Sequence, residues 1–398
     1  MRKIVHSSSP CPLCGAIEKE EIFSWQGVPA NIGILWSSKD EAVNCSKGDL
    51  RIALCHKCGY VWNIAFDPNR LEYSQAYDNN LHYSAVYDKY ARQMARRLID
   101  RYDLNGKRIL EIGCGKGDFL IMLCTLAANR GIGFDTSYET RDLPAAVGEK
   151  ITIISDFYSE KHSRYTGNLI VSRYVFEHIE NPLEFLRMVR SNIGDKVDTV
   201  VYFEVPNVYL ILEQLSVWDF IYEHVSYFCP GSLATAFEAC GFKILDLYET
   251  YGEQFIAVEA APDDSSAGVT DYDVRADLER LQRGVSAFCL QIEEKRQAML
   301  ALLQRIRTEG LRALAWGAGA KGVSYLNMLE IGDEISHIVD INPNKRNRYI
   351  AGTGQKIVAP EFAKQYQPDI VVVMNPVYLD EIRQSLAEME VNAEVLTV

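Results

Sequence analysis

The residues best suited to chemistry surround a glycine-rich turn at the end of an apolar segment. The turn carries Glu111, Gly113, Gly115 and Gly117 and leads into a segment with helical character. Glycines lack a Cβ atom, so their backbone N–H groups can approach a ligand and they tolerate positive φ. No Lys-Ser or Lys-Thr pair follows them, which excludes a P-loop. The pattern therefore predicts a nucleotide-binding turn at the carboxyl end of a strand.

Acidic residues end three successive apolar segments. Glu111 ends the first and Asp135 the second, and Asp156 beside Phe157 ends the third. An aspartate after the second strand can accept hydrogen bonds from both ribose hydroxyls of a nucleoside, and an acid beside a ring suits adenine. Carboxylates attract a sulfonium and repel a diphosphate, so the set favours S-adenosylmethionine (SAM). The alternative is a glycine-rich turn in a doubly wound domain without this cofactor.

Two segments with a histidine can supply a general acid or base. The first follows a predicted strand, where side chains face the ligand crevice, and it contains Arg173, Tyr174, Glu177 and His178. The second is the run Tyr222, Glu223 and His224, and a loop can aim two of these three at one site. The alternative for each histidine is a structural role, held by its neighbours.

Two Cys-x-x-Cys-Gly motifs, about 40 residues apart, can hold a metal ion. They contain Cys11, Cys14, Cys55 and Cys58. Four thiolates suit one tetrahedral Zn²⁺, and the glycines permit tight turns around the sulfurs. A redox pair, or a disulfide in an oxidising compartment, is the alternative for each motif. A closed four-cysteine site does no chemistry and holds a small domain together.

A second glycine-rich turn lies near the C-terminus. Its Gly-x-Gly-x-x-Gly spacing over residues 317–322 follows a strand predicted at 311–316 and opens a helix predicted at 323–329. Alone, this spacing predicts NAD, but such turns also bind a diphosphate that belongs to a substrate. Lys321 at the helix start would add a matching positive charge. Further strands are predicted to end at Asp340 and Asn375.

Length, composition and charge limit the possible architectures. At 398 residues the chain is predicted to form two to three domains. The net charge of −13 argues against non-specific nucleic-acid binding. The N-terminus has no apolar signal region and no run of 18 apolar residues occurs, so we expect a cytoplasmic protein that does not bind membranes.

The elements that position these residues indicate an α/β protein. Tyrosines are frequent between residues 66 and 90, and most are expected to pack; they are Tyr73, Tyr77, Tyr83, Tyr87 and Tyr90. An amphipathic helix is predicted from Tyr83 to Tyr102. The polar segment Ala261–Gly268 is the best boundary in the chain, and one or two long helices are predicted from Asp273 to Glu309.

Taken together, these motifs resemble the zinc-containing, SAM-dependent C-methyltransferases of deoxysugar biosynthesis. The resemblance covers nearly the whole chain. It implies a small N-terminal zinc-binding domain over residues 1–70, a central class I, Rossmann-like SAM methyltransferase domain over 71–262, and a C-terminal Rossmann-like domain over 263–398. The last would help to hold the nucleotide diphosphate of a 4-keto sugar, with Gly319, Lys321 and Asn375 as candidate contacts.

The resemblance also implies roles for the histidine segments. Tyr222, Glu223 and His224 would line the site with His224 as the base, and Tyr77 and His178 would line the same pocket. Carbon is a poor nucleophile until a proton beside a carbonyl is removed, and a histidine with an ordinary pKa of ~6.5 suits that task. Phenols such as Tyr77 or Tyr222 can donate to the enolate oxygen.

Two other classes of function remain open from the sequence. An O- or N-methyltransferase needs the same cofactor half but no carbon base. A nucleotide-sugar-binding or two-cofactor protein would hold NAD in the second glycine turn. The expected state is a monomer or homodimer.

Overall fold

The computed structural model describes residues 3–6, 10–71, 77–78, 80–139, 148–263 and 273–398. Tyr73 and most of the predicted boundary Ala261–Gly268 lie outside the described residues. Among those described, no helix combines the length and apolar character needed to cross a membrane.

Strands and helices alternate along most of the described chain, which confirms the predicted α/β class. The strands are β1 (Lys3–His6), β2 (Glu18–Pro29), β3 (Lys47–Leu54), β4 (Val61–Asn63), β5 (Arg108–Ile112), β6 (Arg130–Phe134), β7 (Ile151–Ile154), β8 (Leu169–Arg173), β9 (Val200–Pro206), β10 (Ser226–Tyr227), β11 (Phe242–Thr250), β12 (Phe255–Pro262), β13 (Ala313–Trp316), β14 (His337–Val339), β15 (Lys356–Val358), β16 (Ile370–Val373) and β17 (Glu394–Thr397). The helices are α1 (Lys39–Val43), α2 (Ala85–Arg101), α3 (Asp118–Leu126), α4 (Pro182–Ile193), α5 (Val208–Gln214), α6 (Pro230–Glu238), α7 (Val274–Glu309), α8 (Ala320–Met328), α9 (Phe362–Tyr366) and α10 (Leu379–Glu388).

The first sheet contains the N-terminal strands and one strand from much later in the chain. Its order is β1-β2-β3-β4-β10, and the neighbours are antiparallel. The late strand β10 pairs with β4 through Ser226 opposite Trp62 and Tyr227 opposite Val61. The N-terminal sheet is therefore completed by residues that directly follow the His224 segment.

The second sheet has the order β11-β12-β9-β8-β5-β6-β7. Strands β5 to β9 run parallel, whereas β12 and β11 are antiparallel to their neighbours. The chain moves outward from β5 in one direction through β6 and β7 and then returns to β8 on the other side. This reversal opens a crevice at the carboxyl ends of β5 and β8, where doubly wound sheets bind ligands.

The third sheet is parallel throughout and has the order β15-β14-β13-β16-β17. Counted along this part of the chain, the order is 3-2-1-4-5, that of a Rossmann unit. The strand predicted at 311–316 is β13, and the predicted helix is α8, which begins three residues earlier than expected. The second glycine turn connects the two.

One long helix packs against all three parts of the molecule. Helix α7 has 36 residues, roughly 54 Å at 1.5 Å per residue. Its buried Leu281, Val285 and Phe288 share one face and lie in a core that also contains residues of the N-terminal sheet, of α5 and of the third sheet. The rings of Phe23 and Phe220 lie 6.2 and 6.0 Å from Phe288. A continuous apolar core therefore connects the units.

Candidate active site

A cavity of about 760 Å³ lies where the three sheets meet. Its wall is formed by the strand ends of the second sheet, by Asp219, Ile221, Glu223 and His224, and by the glycine turn before α8. This volume is within the range of small-molecule and cofactor sites. Of the predicted site residues outside the cysteine motifs, all but two line this cavity.

The first glycine turn presents two of its three glycines to the cavity. Gly113 has φ +71°, and a Cβ there would lie 2.1 Å from Cγ2 of Val175. Gly115 has φ +53° and donates its N–H to Asp135 at 2.7 Å. Gly117 does not line the cavity; it caps α3 at φ +83° and packs against Ile153. Its role is to let the chain turn into the helix.

Glu111 brings an unpaired carboxylate oxygen to this turn. The residue is only 3% exposed, and its Oε2 has no hydrogen-bond partner within the described part of the chain. Burial raises the pKa of Glu111 to about 8, against the attraction of Arg173. A buried acceptor in a cavity wall needs a donor or a cation. The ammonium or sulfonium of SAM fits this requirement.

The predicted adenosine contacts lie along the same wall. Asp135 accepts from Ser137 N–H at 2.8 Å and Oγ at 2.6 Å, in addition to Gly115. Its carboxylate is therefore fixed within the protein but keeps free lone pairs for a ribose. Asp156 forms an ion pair with Lys161 at 2.7 Å, which lowers the pKa of that carboxyl group. The neighbouring Phe157 is 63% exposed and lines the cavity.

Tyr174 is held in a strained conformation by a buried polar network. Its φ is +59°, which is costly for a tyrosine, and its hydroxyl donates to Glu204 at 2.5 Å. The same carboxylate accepts from Arg173 at 3.0 Å and from two further tyrosines, Tyr90 and Tyr202, each at 2.8 Å. Glu204 was not predicted from the sequence, although an acid near the end of an apolar strand was the available signal.

Glu223 and Tyr77 form a pair in the cavity wall. The carboxylate is fully buried and accepts from Ile32 N–H at 2.7 Å and from the Tyr77 hydroxyl at 3.0 Å. Burial raises the pKa of Glu223 to about 7, and these hydrogen bonds oppose the rise. The structure brings together these two predicted residues from distant segments.

The two predicted histidines also meet in the wall. The rings of His178 and His224 lie 4.9 Å apart at 90°. Burial lowers the pKa of His178 to about 4, and burial together with His178 lowers the pKa of His224 well below its ordinary value. Both imidazoles are therefore neutral at pH 7, and a neutral imidazole can accept a proton.

Tyr222 does not line the cavity, and the prediction that it belongs to the catalytic group is wrong. Its side chain packs on Gly48, and its hydroxyl accepts a hydrogen bond from Asp67 N–H at 2.9 Å. Ile221 and Glu223, on either side, face the cavity instead. Consecutive residues of this segment point in different directions, and the tyrosine is the one that points into the N-terminal core.

The second glycine turn faces the same cavity from the third sheet. Gly319 caps α8, and Lys321 in its first turn forms an ion pair with Asp219. Asn375 exchanges two side-chain hydrogen bonds with Gln254, at 3.1 and 3.0 Å.

Asp340, the acid that an NAD site would direct at a ribose, has its own partners in this turn. It accepts from Ala318 N–H at 2.9 Å, from Asn342 N–H at 2.8 Å and from Lys345 at 3.3 Å. These contacts favour a structural role for the carboxylate and weaken the NAD alternative.

The four predicted metal ligands converge at one end of the N-terminal sheet. Their sulfurs lie within 4.8 Å of one another, with Cys11–Cys58 at 3.6 Å and Cys14–Cys55 at 3.5 Å. A tetrahedron with metal–sulfur bonds of about 2.3 Å has edges of about 3.8 Å. The spacing therefore fits a tetrahedral ion.

The two cysteine motifs have the same backbone geometry. Gly15 and Gly59 both have φ +72°. Each donates its N–H to the carbonyl of the first cysteine of its motif at 2.9 Å. Only glycine adopts this conformation without strain, so the two motifs form equivalent turns around one point.

The cysteine cluster connects directly to the histidine segment. Strand β4 follows the second motif and pairs with β10, which begins two residues after His224. Asn63 N–H donates to Val225 at 2.9 Å, and Val225 N–H donates to the carbonyl of Glu177 at 2.9 Å. Val225, next to His224, is thus held between β4 on one side and the turn that carries Glu177 and His178 on the other.

The glycine turn yields a test of cofactor binding. We expect Gly113→Ala to lower the affinity for SAM at least about 10-fold, because the added methyl collides with Val175 in a left-handed backbone. Gly106→Ala, before β5 and outside the cavity lining, is the matched control: Gly106 also has a positive φ and no atom of the described residues lies within 4 Å of its Cβ, so the change should cost only about 1–2 kcal/mol in folding stability and leave the SAM affinity unchanged. Calorimetric titration with SAM measures both. Equal losses of SAM affinity would contradict the proposed close approach at Gly113.

Comparison with known families accounts for most of the chain. Residues 87–247 match the family described as methyltransferase domain. Residues 256–396 match the family described as C-methyltransferase C-terminal domain. The first range contains the first glycine turn, His178 and His224. The second range contains the third sheet and the second glycine turn.

A relative that aligns with nearly the whole chain agrees with these matches. The chain is 25% identical to C-methyltransferase NovU of Streptomyces niveus over 405 aligned positions, which cover 96% of this chain and 93% of the relative. Among solved structures it is similar to magnesium protoporphyrin IX methyltransferase from Synechocystis PCC 6803, at 15% identity over 45% of this chain and 84% of that one, with a TM-score of 0.35. A putative SAM-dependent methyltransferase from Listeria monocytogenes gives 12% identity over 44% of this chain and 100% of that one, with a TM-score of 0.34.

The TM-scores of these solved structures are below 0.5, so they add nothing to the family matches. The family matches themselves agree with the residues that line the cavity. The glycine turn, the acids at the strand ends and the unpaired Glu111 oxygen fit SAM, and both matched families are methyltransferase families. The chain is thus a SAM-dependent methyltransferase whose C-terminal part matches the C-methyltransferase C-terminal domain.

Proposed function

We propose that this enzyme transfers the methyl group of SAM to the carbon beside the ketone of a nucleotide-linked 4-keto-deoxysugar. The observation that carries the proposal is a neutral, half-buried His224 in the same cavity as the first and second glycine turns. Methylation of oxygen or nitrogen does not require a base that removes a proton from carbon. The match to a C-methyltransferase C-terminal domain supports carbon as the acceptor.

In the proposed mechanism His224 removes the proton from the carbon beside the ketone. The electron pair of the C–H bond moves to the carbonyl oxygen and forms an enolate. The Tyr77 hydroxyl has one proton, which it donates to Glu223 before the substrate binds. In the proposed step it donates this hydrogen bond to the enolate oxygen instead, as the charge on that oxygen grows. Glu111, Asp135 and the first glycine turn would hold SAM, which would supply an electrophilic methyl group to the enolate carbon; the new C–C bond would replace the S–CH3 bond, with S-adenosylhomocysteine as the leaving group.

The diphosphate of the substrate would bind at the start of α8. Backbone N–H groups at a helix N-terminus favour anions, and Gly319 permits a close approach. Lys321 would exchange its carboxylate partner Asp219 for a phosphate oxygen. Asn375, across the cavity, has a side-chain amide that can contact the sugar or the base.

We further propose that the four cysteines hold one structural Zn²⁺. The sulfur spacing and the paired glycine turns support this assignment, and four thiolates leave no open position for catalysis. The ion would stabilise the N-terminal sheet, including β10.

Replacement of His224 tests the proposed base. We expect His224→Asn to lower kcat by about 10²-fold or more. The SAM affinity should change less than about 3-fold, because His224 is not among the residues proposed to hold SAM. The substrate probe is a 4-keto-6-deoxyhexose linked to thymidine or guanosine diphosphate, whichever the protein binds by calorimetry. Full activity in a folded His224→Asn protein would exclude the assignment.

Two tyrosine variants distinguish the role of a tyrosine in the cavity wall from that of a tyrosine in the N-terminal core. We expect Tyr77→Phe to lower kcat about 10-fold or more by removal of a donor to the enolate. Tyr222→Phe should keep kcat within about 3-fold, because its hydroxyl bonds only to the Asp67 backbone among the described residues; its net loss should be about 1 kcal/mol of stability. Steady-state kinetics and thermal unfolding measure the two effects. A larger kcat loss for Tyr222→Phe would contradict the proposed division of roles.

Metal analysis tests the zinc proposal. The wild type and Cys45→Ser, which removes a buried thiol outside the cluster, should each contain one zinc ion per chain. Cys55→Ser should lose the ion and unfold at a lower temperature, because metal binding contributes to folding. No metal in the wild type, or iron–sulfur absorbance, would refute the assignment.

A further inference from the structure

Glu177 is a buried carboxylate that has no role in the proposed mechanism. It lies on the short turn Phe176–His178 that follows β8, at the wall of the cavity, and is only 1% exposed. Its Oε2 has no hydrogen-bond partner in the described structure. One ligand-type atom each of Glu177, His178 and His224 lies within 4.8 Å of the others. A carboxylate buried in this way needs a compensating partner.

The imidazole of His224 needs a partner on its buried side. Its Nδ1 is inaccessible and has no hydrogen-bond partner among the described residues, as is also true of Nδ1 of His178. When an imidazole takes up a proton, both of its ring nitrogens become donors. An imidazolium formed by uptake at Nε2 would therefore carry an Nδ1–H that points into the protein. Of the two neighbours, the carboxylate of Glu177 is the one that adds an opposite charge.

We propose that Glu177 is a positioning residue for the base. Within the described residues, the structure leaves both Glu177 Oε2 and His224 Nδ1 without a partner but places the two residues close together. In the proposed arrangement the two side chains close the remaining gap, and Glu177 accepts a hydrogen bond from Nδ1–H of His224. This contact leaves Nε2 free and stabilises the imidazolium that forms during proton abstraction. In that step the substrate C–H bond breaks, an Nε2–H bond forms, and the electron pair passes to the enolate. Glu177 stays ionised and takes no proton. The catalytic part of this inference rests on the proposed function; the hydrogen bond itself does not.

The backbone already fixes the two residues relative to each other. Val225 N–H donates to the carbonyl of Glu177 at 2.9 Å, so the residue after His224 is bound to the turn that carries the carboxylate. This contact connects two segments that are distant in sequence. A third group that orients the base is a recurring feature of catalytic histidines.

The charged and titratable groups around Glu177 determine the pH dependence. They are His178 on its own turn, Glu204 at the end of β9, and Glu223 and His224 on the opposite segment. Burial raises the pKa of Glu177 to about 8, and Glu204 adds to the rise. The ionised carboxylate is the supporting form, and its fraction grows as the pH rises through this value. We therefore expect kcat/KM to increase with pH up to about 8 and then to level off.

Variants of Glu177 test the catalytic part. Glu177→Gln keeps the shape but not the charge, and we expect kcat to fall about 10²-fold, KM to change less than about 3-fold, and the rise near pH 8 to disappear. Glu177→Asp should keep the increase of kcat/KM towards pH 8, with a lower kcat than the wild type. The exposed Glu180→Gln, on the same loop, should match the wild type. An unchanged pH profile in Glu177→Gln, or a loss confined to KM, would overturn the proposal.

Histidine ¹⁵N NMR of the substrate-free enzyme tests the hydrogen bond independently of turnover. At pH 9 we expect His224 as the Nδ1–H tautomer in the wild type and in Glu180→Gln, and loss of that preference in Glu177→Leu. An Nε2–H tautomer in the wild type would refute the proposal. So would a second metal ion that is lost in Glu177→Gln, because the three side chains would then be metal ligands. If no ketone is turned over but the tautomer is as expected, the proposed function fails and the Glu177 contact stands.

Discussion

The pairing of the two-residue strand Ser226–Tyr227 with Val61–Asn63 is the contact on which the rest of the site depends. It joins the segment that carries His224 to the sheet that begins at the cysteine cluster. The hydroxyl of Tyr60 reinforces it through Ser226 at 2.5 Å. The unit around the four cysteines thus fixes the position of His224, the proposed base. Family-level similarity in the two larger units alone would not reveal this dependence.

Three buried carboxyl groups give the cavity its electrostatic character. Burial raises the pKa values of Glu111, Glu177 and Glu223, and the first two also keep an oxygen without a partner among the described residues. Such atoms destabilise the folded protein unless a ligand or a proton satisfies them. In the proposed mechanism, the cationic cofactor satisfies Glu111 and the imidazolium of His224 satisfies Glu177. Hydrogen bonds from Ile32 and Tyr77 satisfy Glu223 before the substrate binds. The carboxyl groups Glu111 and Glu177 therefore favour positive charge beside them, either on the bound cofactor or on the imidazolium that forms during the reaction.

Sequence patterns predicted the parts of the site that depend on local geometry. The glycine turn and its strand-end acids follow from the rule that parallel strands point their carboxyl ends at one crevice, and the cysteine motifs carry their own spacing. The direction of Tyr222 did not follow, because a loop has no fixed periodicity. The roles of Glu204 and Glu177 depend on contacts between segments distant in sequence, which no local pattern records. The single continuous helix α7 and the core it shares with the N-terminal sheet, α5 and the third sheet are likewise products of tertiary packing.

Carbon methylation is the central claim, and the product itself tests it most directly. The enzyme would be given SAM with a ¹³C-labelled methyl group and a ¹³C-labelled 4-keto-6-deoxyhexose linked to the nucleoside diphosphate that it binds. We expect one-bond carbon–carbon coupling in the NMR spectrum between the transferred methyl and the carbon beside the ketone. A methyl group attached to oxygen or nitrogen, with no such coupling, would contradict carbon methylation.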